Sequence, residues 1–336
     1  MTQPPAIPRP QRGAALLTAM IIVTLVATLA SGMVWQQWRA LQVEAAERAQ
    51  TQSQWVLQGA LDWTRMILRE DAREGGADHL GEPWAAPLAE ARLSTFLAAD
   101  RAMAEDAPDA FLSGRIEDAQ ARYNLRNLVQ QGKVSRAELQ TLERLCGFLG
   151  LSGDVAPRLA EAMRRATPGS SAEPPADSVG SSSDGSGTSV PLPLMPASVD
   201  DLGWLGLDAA TVQRLKPYVV LLPRETPVNL NTAPKEVIAA VLPGVDLASA
   251  ERLVQSRLRD HLKTPADAKA VLGERALTDA RRVGVNTSYF IVHGALRLDQ
   301  VVVAQRSLLE RNGREVRALS TQRVRDLAEL ESTLQR

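Results

Sequence analysis

Between Ala14 and Val34 the chain reads AALLTAMIIVTLVATLASGMV, without one charged side chain. As a helix rising about 1.5 Å per residue, this stretch is roughly 30 Å long, the thickness of a bilayer's hydrocarbon core. It reads as a transmembrane helix over 14–34, and everything downstream must be arranged around it. Arg9 and Arg12 precede the span, and only Arg39 follows it closely. By the positive-inside rule the N-terminus is expected in the cytoplasm and residues 40–336 across the membrane. A secretory signal is cut after its apolar stretch, at small residues. Here the small pair Gly13–Ala14 comes before it, directly after Arg12. Cleavage at that bond would remove a leader of residues 1–13 and leave the membrane helix on the mature chain. An ordinary signal anchor preceded by a chance glycine gives the same topology.

The exported part is long enough for one or two domains. Formal net charge is −1 over 336 residues, so no overall field points to nucleic acid or anionic lipid. The single cysteine, Cys146, lies in the helical pattern LERLCGFLG and reads as a small buried apolar side chain with no intrachain disulfide. His79, His261 and His293 are far apart in sequence and lack His-x3-His or Glu-x-x-His spacing. Neither a zinc site nor a catalytic triad is indicated, and each histidine reads as isolated. The sequence also lacks a phosphate-cradling glycine loop and a G-x-S-x-G elbow. No enzymatic role and no metal site are expected.

Helical character continues past the span. From Trp35 to Arg69 there is no proline, and only Gly59 interrupts a run of good helix formers. Trp35 and Trp38 stand where aromatic side chains mark a membrane interface. Leu57, Ala60, Leu61, Ile67 and Leu68 form an apolar stripe at helical spacing. Gly75-Gly76 then closes a helix of about 55 residues. Ile116, Tyr123 and Leu125 fit a strand or hairpin. Helices return over 134–166, with Ser135 as an N-cap and Leu139, Leu142, Leu145 and Leu149 as a stripe. Residues 168–196 are Ser, Gly and Pro with few large apolar side chains; they cannot offset ordering entropy and read as a disordered loop. Residues 197–275 are helical again, in short units. Segments 283–298, 300–309 and 315–325 alternate apolar and polar residues as strands do, with Asn312-Gly313 as a hairpin turn.

Strands early and late with helices between them predict an α+β fold. A long N-terminal helix packs on an antiparallel sheet that is interrupted by a large inserted all-helical domain. The corresponding boundaries are 35–129 for the stalk helix and first part of the sheet domain, 130–275 for the insertion, and 276–336 for the closing strands.

VNLNTAPKEVIAAVLPGVDLASAERLVQSR (228–257) is the sharpest local pattern. Thr232 reads as the N-cap of a first short helix with Pro234 in its first turn. Ile238, Val241 and Leu242 give its inner face, Pro243-Gly244 a tight turn, and Ala250, Leu253 and Val254 the returning face. The segment resembles the helix-hairpin-helix family, with Asn229, Asn231, Thr232, Pro243 and Gly244 as its markers. Nucleic-acid-binding members offer the turn's N–H groups to a phosphate beside positive charge. Lys235, Arg252, Arg257 and Arg259 are near in sequence, but Asp246 stands where binding versions carry a second glycine. The hairpin is therefore expected to pack, and no nucleic-acid partner is expected.

The leader junction resembles the type III leader of type IV pilins and pseudopilins. Further carriers are GEPWA (81–85), GRIEDAQARYNL (114–125), VNLNTAP (228–234) and VGVNTSYF (283–290). Together they make the chain similar to the minor pseudopilin K family (general secretion pathway protein K) of type II secretion systems over most of residues 10–325. The resemblance implies a pilin-like α/β domain interrupted by a large helical domain. It implies cleavage by prepilin peptidase between Gly13 and Ala14, and N-methylation of Ala14. It also implies a single-pass inner-membrane protein with its globular part in the periplasm, at the tip of a short pseudopilus. The implied partners are the minor pseudopilins I and J, the major pseudopilin, prepilin peptidase and the inner-membrane assembly platform. The implied role is structural: initiating or capping the pseudopilus for protein export across the outer membrane.

Thr18 would be the fifth residue of the mature chain, where most pilins carry a glutamate thought to pair with a neighbour's terminal amine. A tip subunit has no neighbour ahead to supply that amine, and a threonine hydroxyl can bond to its own helix instead. Thr18 is thus a marker of the tip position. Two family features are not matched. Some members bind calcium in or near the helical domain, but the Ser/Gly segment here holds only Glu173, Asp177 and Asp184, spaced too irregularly for a calcium loop. Arg126 stands where the family tends to repeat asparagine. No cofactor is expected from the residues themselves; calcium rests on the resemblance alone. The competing readings are a DNA-uptake pilus component binding DNA through the helix-hairpin-helix, and a membrane-anchored periplasmic enzyme.

Overall fold

The run of helix formers becomes a single helix, α1 (Arg12–Glu74), of 63 residues. The computed structural model describes residues 12–93, 110–167, 194–273, 281–298 and 301–324. Most of the leader, the acidic residues Glu173, Asp177 and Asp184, and nearly all of the Ser/Gly/Pro segment lie outside the described residues. The chain divides into two compact units, Met1–Val56 and Leu57–Arg336.

In the first unit α1 is apolar and long enough to cross a membrane by length and composition. Its large apolar side chains, including Leu16, Ile21, Leu25, Leu29 and Trp35, are exposed. A lipid- or helix-facing surface requires that pattern. Its hydroxyls bond to the helix's own carbonyls: Thr24 to Met20 and Ile21, Thr28 to Leu25 and Ser31 to Ala27, at 2.8–3.0 Å. None of these three side chains needs an outside partner within lipid.

The second unit begins with the end of α1, which Gly75 terminates at φ +68°, a conformation that excludes most side chains. Next come β1 (Leu88–Arg92) and β2 (Ala110–Asp118). The insertion follows, with β3 (Tyr123–Asn124), β4 (Val129–Gln130), β5 (Lys133–Val134), α2 (Arg136–Phe148), α3 (Val155–Ala166), α4 (Ala209–Leu215), β6 (Val219–Val220), β7 (Val228–Asn229), α5 (Lys235–Val241), α6 (Leu247–Arg257), α7 (Ala268–Leu272) and β8 (Val283–Gly284). The chain then returns as β9 (Tyr289–Leu298), β10 (Val301–Asn312) and β11 (Glu315–Val324). The main sheet has the order β1-β2-β9-β10-β11, with every neighbouring pair antiparallel.

The stripe expected on α1 forms the sheet's core: Leu61 and Leu68 pack with Trp84, Phe290, Val292, Leu309 and Val316. Gly294 lets the helix approach, since a Cβ there would lie 3.4 Å from Leu57 Cδ2. The insertion has its own core, including Leu142, Leu145, Leu159, Met163, Leu215, Ile238 and Leu253. Cys146 is buried in it as expected.

Three features depart from the sequence reading. The insertion is not all-helical, because three two-stranded pairs, β3–β6, β4–β5 and β7–β8, stitch it together. The sheet's strands stop at Asp118 and resume at Tyr289, so the boundaries drawn at 130 and 275 fall inside the insertion. Ser135 holds the N-cap position of α2 without a side-chain capping bond.

Candidate functional site

The motifs that looked independent in sequence converge on the seam between sheet and insertion. Asp118, the last residue of β2, shares its strand face with Ile116 and so points an acid toward apolar surroundings. Its Oδ2 accepts hydrogen bonds from Asn229 Nδ2 (2.9 Å) and Thr232 Oγ1 (2.6 Å), and its Oδ1 from the Gln120 N–H (2.7 Å). Burial raises the Asp118 pKa above the ordinary aspartate value, against the pull of these donors. Gln120 holds the two ends of the insertion together. Its Nε2 donates to Pro227 O (3.0 Å), and its Oε1 accepts from the Ser288 N–H (2.7 Å).

A second layer lies beside it. Asn229 Nδ2 also donates to Asp78 O (3.1 Å), and Asp78 Oδ2 accepts from the Thr287 N–H (2.6 Å). Arg311 bridges Asp71 and Asp78 with its two terminal nitrogens and donates to Thr287 O at 2.9 Å. Burial raises both aspartates' pKa values; Arg311 opposes this at each, and Glu82 adds to it at Asp71. Arg311 also stands over the Phe290 ring at 4.9 Å, and Phe290 meets Trp84 edge-on at 5.2 Å. Trp84 Nε1 in turn donates to Glu82 Oε2 (2.8 Å). Asp71, Asp78 and Glu82 bring carboxylate oxygens within 4.8 Å of one another, but Arg311 already supplies positive charge to two of them.

Asparagines fasten the insertion from within. Asn124 Nδ2 donates to Arg224 O (2.7 Å), and its Oδ1 accepts from the Leu222 N–H (3.2 Å). Asn127 exchanges two bonds with the Thr226 backbone at 2.8 and 3.1 Å. Asn231 does the same with the Leu262 backbone, both at 2.9 Å. Every amide here is buried and satisfied by chain far away in sequence, which fixes one arrangement of segments.

Of the helix-hairpin-helix markers, only Pro243 and Gly244 lie in the turn between α5 and α6, Gly244 at φ +82°. Asn229, Asn231 and Thr232 precede α5; Asn229 and Thr232 belong to the seam, and Asn231 to the insertion's interior. Thr232 is not the N-cap: Pro234 holds that position, and the Thr232 hydroxyl is drawn to the Asp118 carboxylate. Asp246 caps α6 by accepting from the Ser249 N–H (2.7 Å), and hydrogen bonding from the Ser249 hydroxyl, then from its N–H, lowers the Asp246 pKa. Three of the four cations near the turn are occupied. Lys235 pairs with Glu251 at 3.1 Å, Arg252 donates to Ser249 Oγ at 2.8 Å, and buried Arg257 donates to Leu230 O. Both helices of the hairpin pack into the insertion's core through Ile238, Val241, Leu242, Ala250 and Leu253.

Two histidines are not isolated, contrary to the sequence reading. His79, beside the seam, and His261, in the insertion, stack with ring centroids 3.8 Å apart and planes 12° from parallel. Burial and the neighbouring His261 lower the His79 pKa. His293 lies near Glu117 on the sheet's other face. Burial alone would raise the Glu117 pKa, but the His293 hydrogen bond and the charges of Arg122, His293 and Arg115 bring it to about 2. At the N-terminus, Gly13 and Ala14 lie within α1, and Thr18 Oγ1 donates to Ala15 O at 2.9 Å on its own helix. Asp78, Asp118, Gln120 and Arg311 were not singled out from sequence. An acid at a core-facing strand position was the readable sign for Asp118.

Comparison with known proteins agrees with this architecture. Two family models, both described as type II secretion system (T2SS) protein K, match residues 121–224 and 228–286. The chain is 31% identical over 327 residues to the type II secretion system protein K of Klebsiella pneumoniae, covering 90% of this chain and 94% of that one. It is 29% identical over 300 residues to the protein of the same name from Pseudomonas aeruginosa, covering 84% of each. A chain of the crystal structure of the GspK-GspI-GspJ complex from the enterotoxigenic Escherichia coli Type 2 Secretion System has the same fold. It superposes with a TM-score of 0.62 at 19% identity, covering 84% of this chain and 99% of that chain. On the strength of the Klebsiella relative and the two family models, this chain belongs to the type II secretion system protein K family, the minor pseudopilins.

Proposed function

We propose that this chain is the tip subunit of a type II secretion pseudopilus, which it initiates or caps for protein export across the outer membrane. It sits in the inner membrane through α1, with its N-terminus cytoplasmic and its sheet and insertion in the periplasm. Prepilin peptidase cuts between Gly13 and Ala14, and Ala14 is then N-methylated. Its neighbours are the minor pseudopilins I and J and, below them, the major pseudopilin, delivered through the inner-membrane assembly platform. The solved relative that shares its fold is in complex with GspI and GspJ, which supports that choice of partners. So does an exposed pair on the second unit's part of α1: Trp63 and Met66, one turn apart, are 45% and 56% exposed. Thr18, satisfied by its own helix, suits a position with no subunit ahead.

The observation that carries the capping role is the insertion of residues 119–288, fixed to the sheet through Asp118, Gln120 and Arg311. A bulky body held this firmly obstructs addition of a further subunit beyond it. Because Asp118 pairs with Phe290 across β2 and β9, residues 119–288 can be replaced by a short Asn-Gly hairpin. Cells carrying that variant and overexpressing the major pseudopilin should make longer pseudopili and secrete poorly. Pseudopili of unchanged length would overturn the capping role.

A further inference from the structure

Among the described residues, the sheet's outer edge, β11, is left open along most of its ten residues. Open edges of that length are uncommon, because a row of unpaired N–H and C=O groups invites another strand. Which groups face outward follows from the register. The Arg311 N–H bonds to Ser288 O, so the Arg311 backbone points toward β9 and away from β11. Its partner Val316 must then point outward, and Arg65 Nε indeed donates to Val316 O at 3.0 Å from α1. Arg65 thus closes the start of the edge. Counting on through the bulge between Leu308 and Leu309 places Ala318, Thr321 and Arg323 in the same outward class. Among the described residues nothing pairs with their backbone groups, and their side chains are exposed.

Charge narrows what this edge can take. The uncharged stretch Ala318–Gln322 is flanked by Arg314 and Arg317 on one side and Arg323 on the other, with Glu315 the single acid. A second copy of the chain pairing antiparallel through these outward groups, Ala318 against Thr321, would set Arg323 diagonal to Arg314 twice and bring two basic edges together, a repulsive match. We propose that β11 is a docking edge for an extended segment of another protein, uncharged in its centre and acidic at both ends. That segment adds a sixth strand to the sheet by hydrogen bonding to Ala318, Thr321 and Arg323.

The test uses the full chain in detergent micelles and a fluorescent peptide of alternating valine and threonine between two acidic pairs, with a lysine-flanked peptide for comparison. Anisotropy should report salt-sensitive binding of the acidic peptide and none of the lysine peptide. Thr321→Pro removes an outward N–H, keeps the backbone ladder to β10 while giving up the hydroxyl contact with Ser307, and should weaken binding about tenfold. The pair Arg317→Glu, Arg323→Glu should reverse the preference toward the lysine peptide, independently of any effect of proline on folding. The proposal is overturned if the acidic peptide fails to bind at millimolar concentration, or if both variants bind it as the parent does. It is also overturned if sedimentation shows the chain dimerising through this edge, with Thr321→Pro abolishing the dimer.

Discussion

Asp118→Ala should detach the insertion from the sheet without destroying either core. The substitution removes three hydrogen bonds, and the losses are unequal. The Thr232 hydroxyl can turn toward Asn229 O, already 3.4 Å away. The Gln120 N–H and one Asn229 amide proton have no such alternative and are stranded while buried. Two stranded donors cost about 2–6 kcal/mol. Relief from burying a carboxylate offsets part of this, leaving a net loss of about 3 kcal/mol. Asp118→Asn keeps the shape and one acceptor and should lose about 1 kcal/mol. Urea unfolding of the protein in micelles measures both losses, and amide exchange should localise the first opening to residues near Gln120, Asn229 and Ser288. Acid supplies a second check. The raised Asp118 pKa means the folded state binds this proton more tightly than the unfolded chain. The parent therefore gains stability as pH falls from that raised value toward the unfolded pKa of about 4, and the asparagine variant does not. The gap between them should widen on acidification. A loss below about 1 kcal/mol for Asp118→Ala, or a gap that narrows in acid, would refute the account.

Arg311→Met leaves Asp71 and Asp78 buried without their cation, and should cost about 3–5 kcal/mol at pH 7. Their pKa values, already raised, rise further, so the deficit should shrink as the pH is lowered; unfolding at two pH values shows whether it does. Burial, with Glu143 nearby, pushes the Cys146 thiol up to about 11. At pH 8 a maleimide should label the folded protein at least about a hundredfold more slowly than the unfolded chain, and rapid labelling of the native state would contradict its burial.

The long helix was legible because its signal is local: helix formers, one apolar stripe, and a glycine pair at the end. The closing strands were legible from alternation and from Asn312-Gly313. The seam was not, because its bonds join residues as distant as Asp118 and Asn229, and no local pattern reports which buried acid meets which amide. Thr232 illustrates the difficulty. Its hydroxyl suits an N-cap by local rules, yet a buried carboxylate is the stronger acceptor and takes it. Arg311 sits at a hairpin turn, where a charged residue is ordinarily solvated, and only the tertiary fold places two aspartates beside it. His79 and His261 stack for the same reason: they lie on segments that meet only when the insertion closes on the sheet.

Adjacent strands β2 and β9 are separated by residues 119–288, and this sets the order in which the molecule can assemble. Joining them across an unfolded connection costs roughly 3 kcal/mol more than across a hairpin loop of two to five residues, by loop-closure scaling. If the insertion folds first, Gln120 already draws Pro227 and Ser288 together, and that entropic barrier largely vanishes. The inserted body then acts as one oversized reverse turn. Until it forms, the flank of β9 stays bare, a sticky surface whose lifetime early local collapse of the middle of the chain would shorten.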